Sequence, residues 1–383
     1  MKPNKKPSNP NFSSGPCTKR PGWSTNILKN ALIGRSHRSK ECKDRILELI
    51  SLIRKILTIP DEYMIGIIPA SDTGAVESAL WSLLGPKNID ILAWDSFGKD
   101  WVTDVTNQLK IKNTRVLTAG FGHLPDLSSV DFTKDIIFTW NGTTTGTWVP
   151  DGEWISDERL GLTICDATSA VFAVKLPWEK LDVTTFSWQK VLGGEAQHGI
   201  IIIGPRAIQR LEEHTPIWPI PKIFRLASNK TFNQSIFEGN TINTPSMLCI
   251  EDTLDALKWI ERIGGLDETI NRSRKNLEEI NKSIHKNQGL KFLSEIASTR
   301  STTSICLAIN SKWFLDLSQE QKVIAHKKMI NLLEENNVAY DITSYRGVTL
   351  GFRIWGGSTV ETSDISRLMP WIYWSMQKVS EKY

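Results

Sequence analysis

Val183-Thr184-Thr185-Phe186-Ser187-Trp188-Gln189-Lys190-Val191-Leu192-Gly193-Gly194 is the stretch that decides the fold. Its β-branched and aromatic residues suit a pleated strand, and the paired glycines break it. Upstream, the apolar run Leu162 to Cys165 ends at Asp166, 24 residues before Lys190. Working outward, short apolar runs recur at Ile65 to Ile68, Ile89 to Ala93, Thr114 to Leu117, Ile136 to Trp140 and Gly199 to Ile203. Helical or loop segments separate them. Runs buried on both faces read as nearly continuous apolar sequence rather than as strict alternation. The pattern therefore predicts an α/β protein, with a mostly parallel seven-stranded sheet between layers of helices.

The flanks complete the outline. From Lys43 to Leu57 apolar residues fall at helical spacing, through Ile46, Leu49, Ile50, Ile53 and Ile56, which predicts an amphipathic helix. Beyond Thr244-Pro245 the texture changes. Helical patterns cover Ser246 to Ile263, Leu266 to Lys286 and Gln319 to Asn336, and a last one starts at Ser363. Strands are expected over Ser304 to Asn310, near Val338 to Ile342 and over Thr349 to Ile354. That mixture reads as a smaller C-terminal α+β domain. The expected division is an N-terminal arm over residues 1–20, a large domain over 21–254 and a small domain over 255–383.

Composition narrows the function. Lys and Arg number 46 against 42 Asp and Glu, with 40% hydrophobic residues, a soluble globular balance. The basic excess lies in the Pro-rich arm, which carries Lys2, Lys5, Lys6, Lys19 and Arg20 and no acid. A nucleic-acid binder carries such charge on a folded face, so the arm is read as a solvated tail and no nucleic-acid partner is expected. The apolar run Ile200 to Ile203 is far below the ~20 residues of a membrane span, and no secretory signal pattern precedes residue 22. Cys17, Cys42, Cys165, Cys249 and Cys306 are widely spaced and odd in number. Neither a disulfide framework nor a metal site is expected, and the reading is cytoplasmic.

Three segments carry chemistry. A lysine among Phe186, Trp188, Val191 and Leu192 is desolvated, which lowers its pKa and makes its amine nucleophilic. Asp166, at the end of a neighbouring strand, can face the same crevice. The turn Ser71-Asp72-Thr73-Gly74 opens a helix and offers hydroxyls, backbone N–H groups and a favourable dipole to a phosphate. Taken singly, Asp166 could cap a turn, Lys190 could be a surface lysine and the Ser71 turn could be a helix cap. Taken together they are what pyridoxal 5′-phosphate needs: an amine for its aldehyde, an acid for its pyridine nitrogen and a cup for its phosphate.

The sequence resembles the phosphoserine aminotransferases, class V pyridoxal-phosphate enzymes of fold type I, almost from end to end. Asn11-Phe12-Ser13-Ser14-Gly15-Pro16-Cys17, Ser36-His37-Arg38-Ser39, Asp166 with Trp188-Gln189-Lys190, Asn243-Thr244-Pro245 and Phe352-Arg353-Ile354-Trp355 carry the likeness. The resemblance implies that Lys190 links to the cofactor and shuttles protons, and that Asp166 pairs with the pyridine nitrogen. It implies that Trp101 stacks on the ring and Thr143 bonds its phenolic oxygen. Asp72, Thr73 and Gln189 would hold the phosphate from one subunit, and Asn243 and Thr244 from the other, making a homodimer with shared sites. Arg353 would clamp the substrate α-carboxylate, while His37, Arg38 and Arg346 would meet a distal phosphate or carboxylate.

Two departures modify this. Many family members carry Gly-Arg where this chain has Asp72-Thr73, so Asp72 is expected to turn away and cap its helix. Tyr345-Arg346 stands where a His-Arg pair is usual. The implied reaction is transamination of 3-phosphohydroxypyruvate with glutamate in serine synthesis, with a possible second use in pyridoxine synthesis. An alanine– or serine–glyoxylate aminotransferase is the nearer alternative, but glyoxylate gives the basic residues around Arg38 no distal anion. A cysteine desulfurase needs an exposed, reactive late cysteine, whereas Cys306 lies in an apolar strand. A binding scaffold without catalysis would have lost Lys190 or Asp166, and both are present.

Overall fold

The computed structural model describes all 383 residues. Seven strands form the main sheet: β1 (Met64–Pro69), β2 (Ile89–Ala93), β3 (Thr114–Thr118), β4 (Asp135–Thr139), β5 (Thr163–Asp166), β6 (Val183–Ser187) and β7 (His198–Ile203). Their spatial order is β1-β7-β6-β5-β4-β2-β3. The pairings from β6 through β5, β4 and β2 to β3 are parallel, whereas β7 runs antiparallel to both its neighbours. The expected seven-stranded, largely parallel sheet is therefore present.

Side-chain alternation explains why the apolar runs are unbroken. On β7, Ile200 and Ile202 enter one core while Ile201 and Ile203 enter the other. On β1, Ile65 and Ile67 face the first core and Ile68 the second. A strand covered on both faces needs an apolar residue at every position, and each buried Ile contributes about 1.5–3 kcal/mol. The helices around the sheet are α1 (Lys40–Leu57), α2 (Ser71–Leu83), α3 (Ser96–Thr103) and α4 (Pro205–Glu213). Helix α1 begins three residues before its apolar pattern because Ser39 caps it, its hydroxyl accepting from the Cys42 N–H.

Helix α5 (Met247–Ile263) runs into α6 (Gly265–Lys286) through Gly264, whose φ is +119°. A second, antiparallel sheet follows, of β8 (Leu290–Phe292), β9 (Ser304–Ile309) and β10 (Gly351–Trp355). The short α7 (Lys312–Leu315), α8 (Gln319–Glu335) and α9 (Thr362–Ser380) complete the chain. Strand β8 escaped the sequence reading because only three residues form it, with Leu290 and Phe292 inward and Lys291 outward. The strand expected near Val338 to Ile342 is absent. That segment makes only isolated bridges, one of them between Tyr340 and Asn11. It is tied to the N-terminal arm, where the Tyr340 N–H donates to the Pro10 carbonyl at 2.9 Å. It meets the second sheet only where the Ile342 carbonyl accepts from the Arg353 N–H at 2.8 Å; sequence spacing carries no trace of the arm contact.

The arm itself corrects the expectation of a solvated tail. Phe12 is fully buried, and its carbonyl accepts from the Trp355 N–H at 3.0 Å. The Trp371 indole donates to the Lys5 carbonyl at 2.8 Å, and the Lys2 ammonium lies 5.5 Å from the Trp371 ring. Arg20 grips Asp255 through two nitrogens, at 2.6 and 2.7 Å, and Lys19 meets Asp252 at 2.7 Å. The basic charge that distinguished the arm in the sequence is matched by acids of α5 and by α9 tryptophans. The arm then passes over the carboxyl ends of the parallel strands.

Candidate active site

The carboxyl ends of β4, β5 and β6 open into a cavity of about 310 Å³. Helix α2 contributes Asp72 and Thr73, and α3 contributes Phe97 and Trp101. Thr139, Asn141 and Thr143 follow from β4, Asp166 and Thr168 from β5, and Ser187, Gln189 and Lys190 from β6. Gly15 and Pro16 of the arm close the remaining side. Of the residues singled out in the sequence, Asp72, Thr73, Trp101, Thr143, Asp166, Gln189 and Lys190 thus meet at one place. Parallel strands bring this about: each ends at the same edge, and each following loop turns over it.

Lys190 lies three residues beyond the end of β6 and is buried, with 8% of its surface exposed. Its Nζ donates to the Ser14 carbonyl. Burial holds the amine below the usual lysine range; Arg353 adds to the depression, while Cys17, Asp166 and Asp72 oppose it. A neutral, desolvated amine is the nucleophilic form. Gly15 sits directly over it at φ +147°, and a Cβ there would collide with Lys190 Nζ. That backbone conformation, rarely adopted by L side chains, is what favours glycine at the crossing. The Cys17 N–H donates to the Gln189 carbonyl at 2.8 Å, fastening the arm to the lysine loop.

Asp166 ends β5. Its Oδ2 accepts from the Trp101 indole at 3.2 Å and its Oδ1 from the Thr168 N–H at 3.0 Å. The turn-capping role open to it in the sequence is real, and it coexists with a place on the cavity wall. Asp72 departs from expectation. The N-cap position of α2 is Ala70, which makes no side-chain cap, and Asp72 points inward and is buried. Burial, and then the charge of Asp166, push its carboxyl well above the usual range. Asp95 caps α3 through the Gly98 N–H at 2.8 Å, and burial pushes it up to about 6.

Around the cavity, Asp72 Oδ1, Thr139 Oγ1, Asn141 Oδ1, Thr168 Oγ1, Ser187 Oγ and Gln189 Oε1 are buried without a hydrogen-bond partner. Buried polar atoms are ordinarily paired, so such a set marks a polar ligand. At one end, α2 begins with Ala70 and Ser71 both at positive φ (+66° and +53°). Backbone held in that conformation clusters at ligand clamps. Gly74 lets this turn close, because a Cβ there would strike the Pro69 carbonyl. A helix N-terminus for an anion, a carboxylate for a ring nitrogen and a buried amine held below the usual lysine range fit pyridoxal phosphate. Thr143 Oγ1 is 2.6 Å from Ser169 Oγ, and the Ser304 hydroxyl donates to the Thr143 carbonyl at 2.6 Å, anchoring this rim to the second sheet.

Other expected residues lie apart. Arg353, on β10, stands near Lys190 and Cys17; it has no ion pair, and its Nε is buried and unpartnered. Its guanidinium lies 5.4 Å from the Tyr345 ring. Asn243, Thr244, Arg38 and Arg346 are exposed and do not line the cavity, and neither does His37, whose ring burial and the neighbouring Arg38 hold below the usual histidine range. The sequence reading assigned no role to Ser14, Gly15, Asn141 or Ser187. The first two belong to a stretch already noted for its likeness, and the other two adjoin residues that were chosen.

No protein-family model matches the chain. It is 53% identical over 379 residues to the phosphoserine aminotransferase of Methanosarcina mazei, covering 99% of this chain and 100% of that one. Among solved structures, a phosphoserine aminotransferase from Trichomonas vaginalis with pyridoxal phosphate bound superposes with a TM-score of 0.75 at 18% identity, covering 95% of this chain and 99% of that one. An alanine–glyoxylate aminotransferase from Nostoc gives 0.76 at 17% identity, covering 98% and 97%. The fold is thus shared by aminotransferases of different substrate choice, and the sequence relative discriminates where shape does not. Matched over its whole length at that identity, this chain belongs to the phosphoserine aminotransferase family and is an aminotransferase.

Proposed function

We propose that the protein catalyses reversible transamination between glutamate and 3-phosphohydroxypyruvate, yielding phosphoserine and 2-oxoglutarate, with pyridoxal 5′-phosphate in the cavity under the N-terminal arm. The observation that carries this reading is the buried Lys190 amine, held below the usual lysine range among unpartnered polar groups, with Asp166 lining the same cavity. The M. mazei relative supports the choice of substrate. When bound, the cofactor supplies an electron-withdrawing ring that stabilises negative charge at the substrate Cα.

The residues divide the work. Lys190 Nζ would hold the cofactor's aldehyde end and carry a proton from the substrate Cα. Asp166 keeps a proton on the pyridine nitrogen, and Trp101 covers the ring. Thr143 holds the phenolic oxygen. Thr73, Gln189 and the first N–H groups of α2 receive the phosphate, joined by Asn243 and Thr244 of the partner subunit. Arg353, unpaired in the free chain, takes the α-carboxylate through its planar fork. His37, Arg38 and Arg346 meet the distal anion. The purified protein should show an absorbance band from protein-linked cofactor that glutamate bleaches; a band indifferent to glutamate would remove the glutamate half-reaction.

A homodimer accounts for the exposure of Asn243 and Thr244, with Leu47 and Leu248 exposed on α1 and α5. Mixing a Lys190→Ala chain with a chain altered at both Asn243 and Thr244 should restore part of the activity, since a mixed dimer retains one intact composite site. Mixed dimers without recovery would place both lesions in one subunit's site.

Substrate choice gives a second test. Replacing Arg38 or Arg346 by Ala should lower kcat/KM for phosphoserine roughly ten- to a hundredfold, the cost of a lost charge-assisted hydrogen bond. Slow reaction with alanine, which has no distal anion, should hardly change. Arg353→Ala should damage both substrates. Equal losses in all three variants would detach Arg38 and Arg346 from the distal anion.

The reading extends to organisation and setting. The chain divides into an arm over 1–20, a large domain over 21–254 and a small domain over 255–383, and it works in the cytoplasm on serine synthesis, with pyridoxine synthesis as a second use. The five cysteines are free and buried, and no helix is long and apolar enough to cross a membrane.

A further inference from the structure

Asp252 lies outside the cavity and has no place in the division of labour above. It stands in the second turn of α5 and is buried, with 3% of its surface exposed. Its Oδ1 accepts from the Trp23 indole at 2.9 Å. Its Oδ2 accepts from the Lys19 ammonium at 2.7 Å and from the Glu195 N–H at 3.1 Å. Lys19 belongs to the arm and Trp23 follows it, whereas Glu195 belongs to the loop that carries Lys190. One carboxylate thus gathers donors from both segments. Burying a charged group is costly unless it is hydrogen-bonded, so the carboxylate fixes its three donors in turn.

From Asp252 the two segments stay in contact as far as the lysine itself. Lys19 also meets the Glu195 carboxylate at 2.9 Å. A Cβ on Gly193, whose φ is +62°, would strike the Thr18 carbonyl, so the two backbones touch there. The Cys17 N–H donates to the Gln189 carbonyl at 2.8 Å, and Lys190 Nζ donates to the Ser14 carbonyl. We propose that Asp252 is a positioning residue for Lys190: it clamps the arm to the lysine loop, so that the Ser14 carbonyl holds the lysine amine in place.

A lysine stem is flexible, and its amine moves a proton only from within hydrogen-bond reach of the reacting atom. An acceptor on a clamped arm selects one of the many positions open to the amine. The part played in the reaction rests on the proposed function; the clamp does not. A neighbouring ion pair supplies the comparison. Arg20 grips Asp255, on the same helix, through two nitrogens at 2.6 and 2.7 Å. That pair fastens the same arm but makes no hydrogen bond to the lysine loop. Only Asp252 joins arm, helix and loop.

The test compares wild type, Asp252→Asn and Asp255→Asn as full-length chains, first by amide hydrogen exchange without cofactor. Asp252→Asn should speed exchange at both Cys17 and Glu195 by about tenfold, the scale of one lost charge-assisted hydrogen bond. Asp255→Asn should leave Glu195 at the wild-type rate. Loaded with pyridoxal phosphate, Asp252→Asn should lose about tenfold in kcat with KM for glutamate within about twofold, because the lysine is displaced and the substrate-binding groups are not. Asp255→Asn should lose less than about twofold in kcat. Unchanged exchange in Asp252→Asn would overturn the clamp. Faster exchange with unchanged kcat, a rise in KM alone, or equal kcat losses in the two variants would overturn the positioning role. A wild type inert toward glutamate would overturn the proposed function and this role together, and the exchange comparison is read without cofactor. If Asp252→Asn does not fold, Lys19→Met, which leaves Asp252 in place, replaces it in both comparisons.

Discussion

Lys190→Ala is expected to fold, to form the same oligomer and to lose turnover by at least about 10,000-fold, the upper range for one positioned proton-transfer group. The loss follows from place as much as from type. Lys190 is delivered by the end of β6 into a pocket that strips its amine of water. No other lysine lines the cavity to substitute for it. Removing the side chain leaves the cup of α2 and the Asp166 wall standing, so the cofactor should still bind, though without its protein link. Single-turnover and steady-state rates with glutamate measure the effect. Repeated turnover at near wild-type rate would remove Lys190 from the chemistry.

Asp166→Ala should follow, with a fall of about 100- to 1,000-fold in kcat, the usual effect of deleting one preorganised electrostatic partner. The carboxylate is held by the Trp101 indole and the Thr168 N–H, so its orientation is fixed before any ligand enters. Without it the ring nitrogen has no anion to hold its proton, and charge at the substrate Cα loses its sink. Cofactor affinity should weaken as well. Unchanged kcat and unchanged cofactor spectrum in this variant would mean that Asp166 serves only its turn.

The contrast between Lys190 and Asp72 shows what the chain reveals before it folds. Lys190 and Asp166 were legible because each ends an apolar run, and parallel strands ending at one edge leave little freedom in where they meet. The main sheet was legible for the same reason, its buried faces enforcing unbroken Ile-rich runs such as Ile200 to Ile203. Asp72 was misread because a carboxylate early in a helix is ordinarily a capping or dipole partner. It instead faces the cavity that it lines together with Asp166 of β5, 94 positions away in sequence. The arm was misread because its charge was counted without its partners, Asp252 and Asp255 on α5. Ser14 and Gly15 are tied to Lys190 by a crossing 176 residues long in sequence, which no local spacing records. His37, Arg38, Arg346, Asn243 and Thr244 do not line the cavity within this chain, and for Asn243 and Thr244 the subunit-mixing experiment tests the proposed sharing.

Everything proposed turns on one covalent position. The purified protein, supplied with pyridoxal phosphate, should be reduced with borohydride to trap the linkage, digested, and its peptides mapped by mass spectrometry. One cofactor per chain is expected, on the peptide carrying Lys190 and on that lysine alone, with the label lost when glutamate is added before the reductant. A label on another lysine, or a chain that takes none, would contradict the account.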